Sequence, residues 1–210
     1  MKIKNVTFED FIYTQPKQLT PQFCERIINL YETHPTCTEH RYAGHVGAPS
    51  HINNKVKQSE DINISKFAEF ADEDKTLVIA LKKLIQNYLD YIGSLNVGYA
   101  GQFELNYDDS GFQLQKTTPG GFYDWHHDDM GHRKYTYIFY LNDIDHEGET
   151  EFANGLKIKP EQGKGLIFPA TWTYAHRGIA PKDEIKYIAT GWISQLVHDH
   201  NKLEHDLELH

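Results

Sequence analysis

Cysteine is nearly missing from this chain. Cys24 and Cys37 are the two that occur, and their spacing matches neither a thiolate zinc site nor a disulfide framework. That makes a reducing cytoplasm the expected compartment. The sequence also lacks any apolar run approaching about eighteen residues, and the stretch from Met1 to Val6 has no apolar core of signal-peptide length. No membrane partner is therefore expected. Basic residues are outnumbered, with 21 Lys and Arg against 30 Asp and Glu and a formal net charge of −9. A nucleic-acid backbone needs clustered Lys and Arg, so nucleic acid is not expected as a partner either.

What is present suffices for one core. With 39% apolar and 13% aromatic residues in 210, a single domain spanning 1–210 is the natural reading. Thr20 and Pro21 place an N-cap and a first-turn proline before Phe23, Ile27, Leu30 and Tyr31, whose spacing is helical. Asp72 or Asp74 is expected to cap a longer helix carrying Leu77, Ala80, Leu81, Leu84, Tyr88 and Tyr91, with Gly93 as its stop. After residue 100 the pattern changes to short β-rich segments divided by Gly, Asp and Asn, as in a sandwich or barrel. Tyr135 to Leu141, Leu156 to Lys159, Gly165 to Phe168 and Lys186 to Ile193 are the clearest strands. The stretch from Thr36 to Asn63 has no regular pattern, and a loop of that length suggests a substrate lid. The tail from His198 to His210 alternates His, Asp and Glu and is expected to be solvated.

The chemistry concentrates in Trp125-His126-His127-Asp128-Asp129, followed by a lone His176 and by Lys186. In an extended strand, residues i and i+2 share a face, so His126 and Asp128 can converge while His127 looks away. A sheet folded back on itself would bring His176 opposite them. Two imidazoles and one carboxylate, with adjacent positions left open, form the ligand set of non-haem Fe(II) oxygenases. In the strand from Lys186 to Ile193, Lys186, Ile188, Thr190 and Trp192 share one face. If that face points to solvent, the lysine carries no message. If it points inward, the ammonium is desolvated and needs an anion, which a dicarboxylate bound to the iron would supply. Gln113, Gln115 and Thr117 also alternate, either lining the same pocket or facing solvent.

From about Gln113 to Ile193 the chain resembles the Fe(II)- and 2-oxoglutarate-dependent dioxygenases, and within them the prolyl 4-hydroxylase-like branch. The resemblance is carried by Pro119-Gly120-Gly121-Phe122-Tyr123-Asp124-Trp125-His126-His127-Asp128, by Phe139-Tyr140-Leu141-Asn142-Asp143, by Gly148-Glu149-Thr150-Glu151-Phe152, and by His176 with Lys186. It implies a mainly β fold with flanking helices: a double-stranded β-helix (jelly-roll, cupin-like) core over 99–196, with the helical buttress and lid loop in 1–98 and a tail over 197–210. It implies His126, Asp128 and His176 as iron ligands, and Lys186 as the partner of the distal carboxylate of 2-oxoglutarate. Tyr140 and Thr190 match residues that assist there. Tyr123 matches a tyrosine three residues before the first ligand, although ideal strand alternation would point it away from His126. Trp192 reads as a wall near the iron or as plain core, and His127 or Asp129 as a support for the imidazoles.

Two departures from the family pattern stand out. Glu147-Gly148-Glu149-Thr150 replaces the usual Gly-Gly-x-Thr, and Thr117 stands where many relatives carry a tyrosine shortly before Pro-Gly. The implied cofactors are Fe(II), 2-oxoglutarate and O2, with ascorbate as an optional reductant. Peptidyl proline is the leading substrate. A free amino acid or other small metabolite is the nearest rival, and a jelly-roll metal-binding module without turnover is the reading from another class.

Overall fold

The computed structural model describes residues 5–46, 51–95, 107–131 and 133–195. Its helices are α1 (Pro21–Thr33), α2 (Pro35–His40) and α3 (Ala71–Ser94). Its strands are β1 (Tyr13–Gln15), β2 (Tyr42–Ala43), β3 (Glu60–Asn63), β4 (Tyr107–Asp109), β5 (Gln113–Thr117), β6 (Tyr123–His126), β7 (Arg133–Tyr140), β8 (Thr150–Phe152), β9 (Lys157–Ile158), β10 (Gly165–Pro169), β11 (His176–Gly178) and β12 (Lys186–Gln195). The larger sheet runs β1-β10-β7-β12-β5-β3-β2, with β4 also on β12, and the smaller runs β6-β11-β8-β9. Every pairing is antiparallel. From β5 to β12 the chain passes repeatedly from one sheet to the other, which is the winding of a double-stranded β-helix.

The larger sheet has two apolar faces with different partners. Directly opposite residues in an antiparallel ladder project to the same side, and period two sends their neighbours to the other. Leu114, Tyr135, Tyr137, Phe139, Ile167, Ala189 and Ile193 therefore share the outer face. They bury against Ile27 and Tyr31 of α1 and Leu77, Leu81, Leu84 and Tyr88 of α3. Ile138, Tyr140, Leu166 and Phe168 project to the inner side and pack with Phe152 of the smaller sheet and with Tyr174. The helices thus stiffen one face of the sheet while the other is left for a site.

Thr20 caps α1, its hydroxyl accepting from Phe23 N at 3.3 Å, with Pro21 at the first turn. The long helix differs in detail from the sequence reading. It starts at Ala71, directly after a 3-10 turn over Ala68–Phe70, so Phe70 holds the cap position and Asp72 and Asp74 sit inside the first turn. There they oppose the positive helix end without a capping bond. Gly93 lies inside the helix, which ends at Ser94. The described parts of the stretch from Thr36 to Asn63 are more ordered than its composition suggests: they contain most of α2, and the pair of β2 and β3 adds to β5 at the sheet edge. Residues 47–50 and the tail from His198 lie outside the described residues.

Cys24 and Cys37 are both buried and unpaired, and burial raises each thiol to about 11, leaving them protonated and inert. Among the described residues no helix is long and apolar enough to cross a membrane.

Candidate active site

His126 ends β6 and His176 begins β11, and the two residues pair directly across the smaller sheet. Asp128 lies past the end of β6, so its approach to His126 owes nothing to strand alternation. One ligand atom from each of His126, Asp128 and His176 lies within 4.8 Å of the others. His126 Nε2 is 4.0 Å from Asp128 Oδ1, and His176 Nε2 is 3.7 Å from Asp128 Oδ2.

Backbone carbonyls set both imidazoles. His126 Nδ1 lies 2.8 Å from the Asp124 carbonyl and His176 Nδ1 lies 3.1 Å from that of Tyr174. A carbonyl oxygen only accepts, so each Nδ1 is the donor, and the Nε2 of each ring is the nitrogen left for a metal at the shared point. Burial, then the neighbouring His176, pulls the His126 ring well below the ordinary histidine range. Burial works to raise the Asp128 carboxyl, but the two rings and the Thr136 hydroxyl, which donates to Oδ2 at 2.7 Å, outweigh it and hold it low. The indole N–H of Trp192 is buried without a hydrogen-bond partner, close enough to the same carboxylate to add to that effect. Two imidazoles, a carboxylate held low and an orphaned N–H beside them fit a cation with bound oxygen ligands. His127 and Asp129 are exposed, so the expected support from them is replaced by Asp124, Tyr174 and Thr136.

The triad sits in a cleft with about 640 Å³ of atom-free space, mouth included. Lys186 lines it, only 6% exposed, donating one N–H to the Gly148 carbonyl at 2.9 Å. Burial lowers its ammonium to about 8, with Glu149 pulling the other way. Thr190 also lines the cleft, its hydroxyl donating to the Tyr137 carbonyl at 2.7 Å. Gln115, Thr117 and Trp192 line the cleft as well, which brings two of the three alternating polar residues inside and gives Trp192 a place in the wall, while Gln113 stands outside the lining and accepts from Gln115. Tyr140 stands one layer behind: its hydroxyl bonds Thr150 Oγ1 at 2.7 Å, and Thr150 lines the cleft. Tyr123 stacks on His126 from within the cleft.

Several cleft residues were not singled out by sequence reasoning. Thr136 and Thr150 were accessible through alternation, since Thr136 lies opposite Trp192 and Thr150 sits in a quoted motif. Arg133, which is not part of the cleft lining, stacks on the Trp192 ring at 3.6 Å and begins the same strand as Thr136. Lys57, 4% exposed and bound to Asp61 at 2.7 Å, comes from the patternless segment, where no local signal marks it.

A double-stranded β-helix with a two-histidine, one-aspartate cluster and a buried lysine in its cleft defines a class: the metal- and oxoacid-dependent oxygenases. Residues 112–194 match the 2OG-Fe(II) oxygenase superfamily. The chain is accordingly a 2-oxoglutarate-dependent non-haem iron dioxygenase, working with Fe(II), 2-oxoglutarate and O2. Among solved structures it is similar to a prolyl hydroxylase in complex with a hypoxia inducible factor oxygen degradation domain peptide fragment from Trichoplax adhaerens, with a TM-score of 0.69, 18% identity and coverage of 89% of this chain and 84% of that one. The viral collagen prolyl hydroxylase of Paramecium Bursaria Chlorella virus-1 gives a TM-score of 0.60 at 19% identity, over 89% of this chain and 97% of that one. A Pseudomonas putida prolyl-4-hydroxylase gives 0.60 at 16%, over 88% and 93%. At such identities these are likenesses of fold. No curated protein matches the sequence.

Proposed function

We propose that the protein hydroxylates a proline residue, converting a C–H bond to C–OH while O2 and 2-oxoglutarate become succinate and CO2. The observation that carries this reading is one cleft with His126, Asp128 and His176 at one point and a buried Lys186 ammonium lining it. In this reading the three side chains hold the iron, which supplies O2 activation together with the oxoacid. The protein's work is placement. Lys186 takes the distal carboxylate of 2-oxoglutarate through N–H groups not spent on Gly148. Thr150 presents its hydroxyl beside it, held by Tyr140, and Thr190 fills the same inner face. Tyr123 positions the His126 ring by stacking.

Proline is favoured over other substrates by the motifs shared with prolyl 4-hydroxylases and by the fold neighbours, one of which binds a peptide fragment. The segment Val56 to Gln58 covers the cleft's edge through Gln58 N to Phe122 O at 2.7 Å and Asp124 N to Val56 O at 2.7 Å, a position suited to meeting a substrate.

Anaerobic addition of Fe(II) and 2-oxoglutarate should produce a weak visible charge-transfer band, lost in His126→Ala and Asp128→Ala. Mass spectrometry of proline and proline-containing peptides after aerobic turnover should then show addition of one oxygen atom. A band without oxygenation of any compound in a cell extract would favour a metal-binding module. Oxygenation confined to compounds other than proline would replace the substrate.

A further inference from the structure

The cleft contains a second buried lysine that the chemistry above does not use. Lys57 lines the cleft at 4% exposure, and one of its N–H groups goes to Asp61 Oδ2 at 2.7 Å. Asp61, fully buried, also accepts from Ser59 Oγ at 2.8 Å, so both carboxylate oxygens are engaged. The remaining two N–H groups of Lys57 have no acceptor among the described residues, with the Tyr123 ring 5.0 Å from Nζ. Buried ammonium groups are expensive to leave part-satisfied, so a lysine held in a cleft with spare donors is a site for an oxygen ligand.

The surroundings are built to hold the lysine there. Gly44 clears its path: a Cβ at that position would stand 2.8 Å from Lys57 Cδ. Asp61 pairs across from Gln115 in the β3–β5 ladder and so shares its face. Gln115 donates to Gln113 Oε1 at 2.7 Å, and Gln113 donates to the Tyr42 hydroxyl at 2.8 Å, which aims the amides along the wall and leaves Gln115 Oε1 free among the described residues. This wall rises from β2, β3 and β5, whereas Lys186 projects from β12 and holds Gly148.

We infer that Lys57 receives a carboxylate of the compound being oxidised, with Gln115 Oε1 accepting from an N–H of the same compound. A charged acceptor forms the stronger bond to a buried ammonium, and Asp61 alone leaves donors unused. Resting on the proline reading, this names the substrate class as proline with a carboxylate close by. Two sources carry that chemistry: the α-carboxylate of free proline, or an acidic side chain next to a peptidyl proline.

Binding without turnover tests it. The whole protein loaded with redox-inert Zn(II) and 2-oxoglutarate is titrated by ligand-observed NMR with L-proline and L-prolinamide, with capped Pro-Glu and Pro-Gln peptides, and with L-leucine and L-leucinamide. Because Lys57→Met alone strands Asp61, the variant used is the charge-neutral pair K57M/D61N, and its Kd for 2-oxoglutarate reports an intact fold. The carboxylate member of at least one pair should bind tenfold or more tighter in the native protein, and that preference should vanish in K57M/D61N while 2-oxoglutarate binding holds. A preference in the first pair identifies the free acid, and one in the second the peptide. No preference in any pair, or a preference that survives in the variant, overturns the inference. A Lys57-dependent preference limited to leucine, with no oxygen added to proline compounds, would overturn the proline reading and leave the role of Lys57 standing.

Discussion

The ring of Tyr123 lies flat on the ring of His126, with centroids 3.5 Å apart and planes 11° from parallel. They stand three positions apart, and in a regular strand they would project to opposite faces. The register of β6 against β11 shows how they meet: His126 pairs with His176, but Tyr123 pairs with Gly178, so three steps on one strand match two on the other. The extra residue is a bulge, which re-aims one side chain of β6 into the cleft. His126 is thereby fixed on one side by a hydrogen bond to Asp124 and on its face by an aromatic ring.

Replacing that ring should loosen the imidazole and weaken the metal. Tyr123→Leu is expected to lower metal affinity roughly tenfold, the lower end of what supporting residues contribute, while Tyr123→Phe, which keeps the stack, should leave it near the native value. Competition of the protein with a chromophoric chelator for Zn(II) reads both. Equal loss in the two variants would assign the effect to the hydroxyl instead.

Thr136→Val removes the donor to Asp128 Oδ2 with little change in shape. Metal affinity should fall by about 10- to 100-fold, as is usual when the partner of a ligating carboxylate is lost. The metal-free protein should lose only about 1 kcal/mol, the net value of one hydrogen bond. A chemical-denaturation series beside the chelator competition separates the two effects, and a large stability loss with unchanged affinity would make Thr136 a packing residue.

The parts of this design that were legible in the sequence are those written by period. Lys186, Ile188, Thr190 and Trp192 recur every second residue, and the structure places all four on one inner face of β12. The α1 cap is spelled by Thr20-Pro21 and is found there. The rest depends on partners far along the chain. Tyr123 enters the cleft because of a bulge defined only against β11, and no run of residues in β6 announces it. Lys57 and Asp61 become a buried pair only because β3 is laid on β5 and because Gly44 leaves room. Read in isolation, the stretch from Thr36 to Asn63 shows polar residues without periodicity, and a charged pair four apart there carries the same local signal whether solvated or buried.

Binding of 2-oxoglutarate should weaken as the pH rises through about 8. The Lys186 ammonium titrates there because burial disfavours its charge, outweighing Glu149, and only the charged form offers a full counter-charge to a carboxylate. Above that pH the neutral fraction grows, and the apparent Kd should rise by roughly tenfold per unit until the higher pKa of the complex is reached. Isothermal titration of the Zn(II)-loaded protein from pH 6.5 to 9.5 measures this. Lys186→Arg, charged throughout, should flatten the profile if it still binds. A profile for the native protein that is flat across the window would remove Lys186 from contact with the cosubstrate.

The same lysine should cost the empty protein stability. Its pKa falls from 10.5 to about 8 on folding, so between those values the unfolded chain binds more protons than the folded one. Native stability therefore rises with pH through that window, and below about pH 8 the folded protein carries the whole cost of a desolvated charge. A depression of this size corresponds to about 3 kcal/mol as an upper bound, before relaxation around the site. Lys186→Met keeps most of the side-chain volume and removes the charge. It should raise Tm of the metal-free protein at pH 7, with a smaller gain near pH 10, while 2-oxoglutarate ceases to bind. Scanning calorimetry at the two pH values reads the first effect and titration calorimetry the second. If the Lys186→Met variant proved no more stable than the native protein at pH 7, the hydrogen bond to Gly148 would already offset the burial of the ammonium, and Lys186 would be anchored structurally rather than held in readiness for an anion.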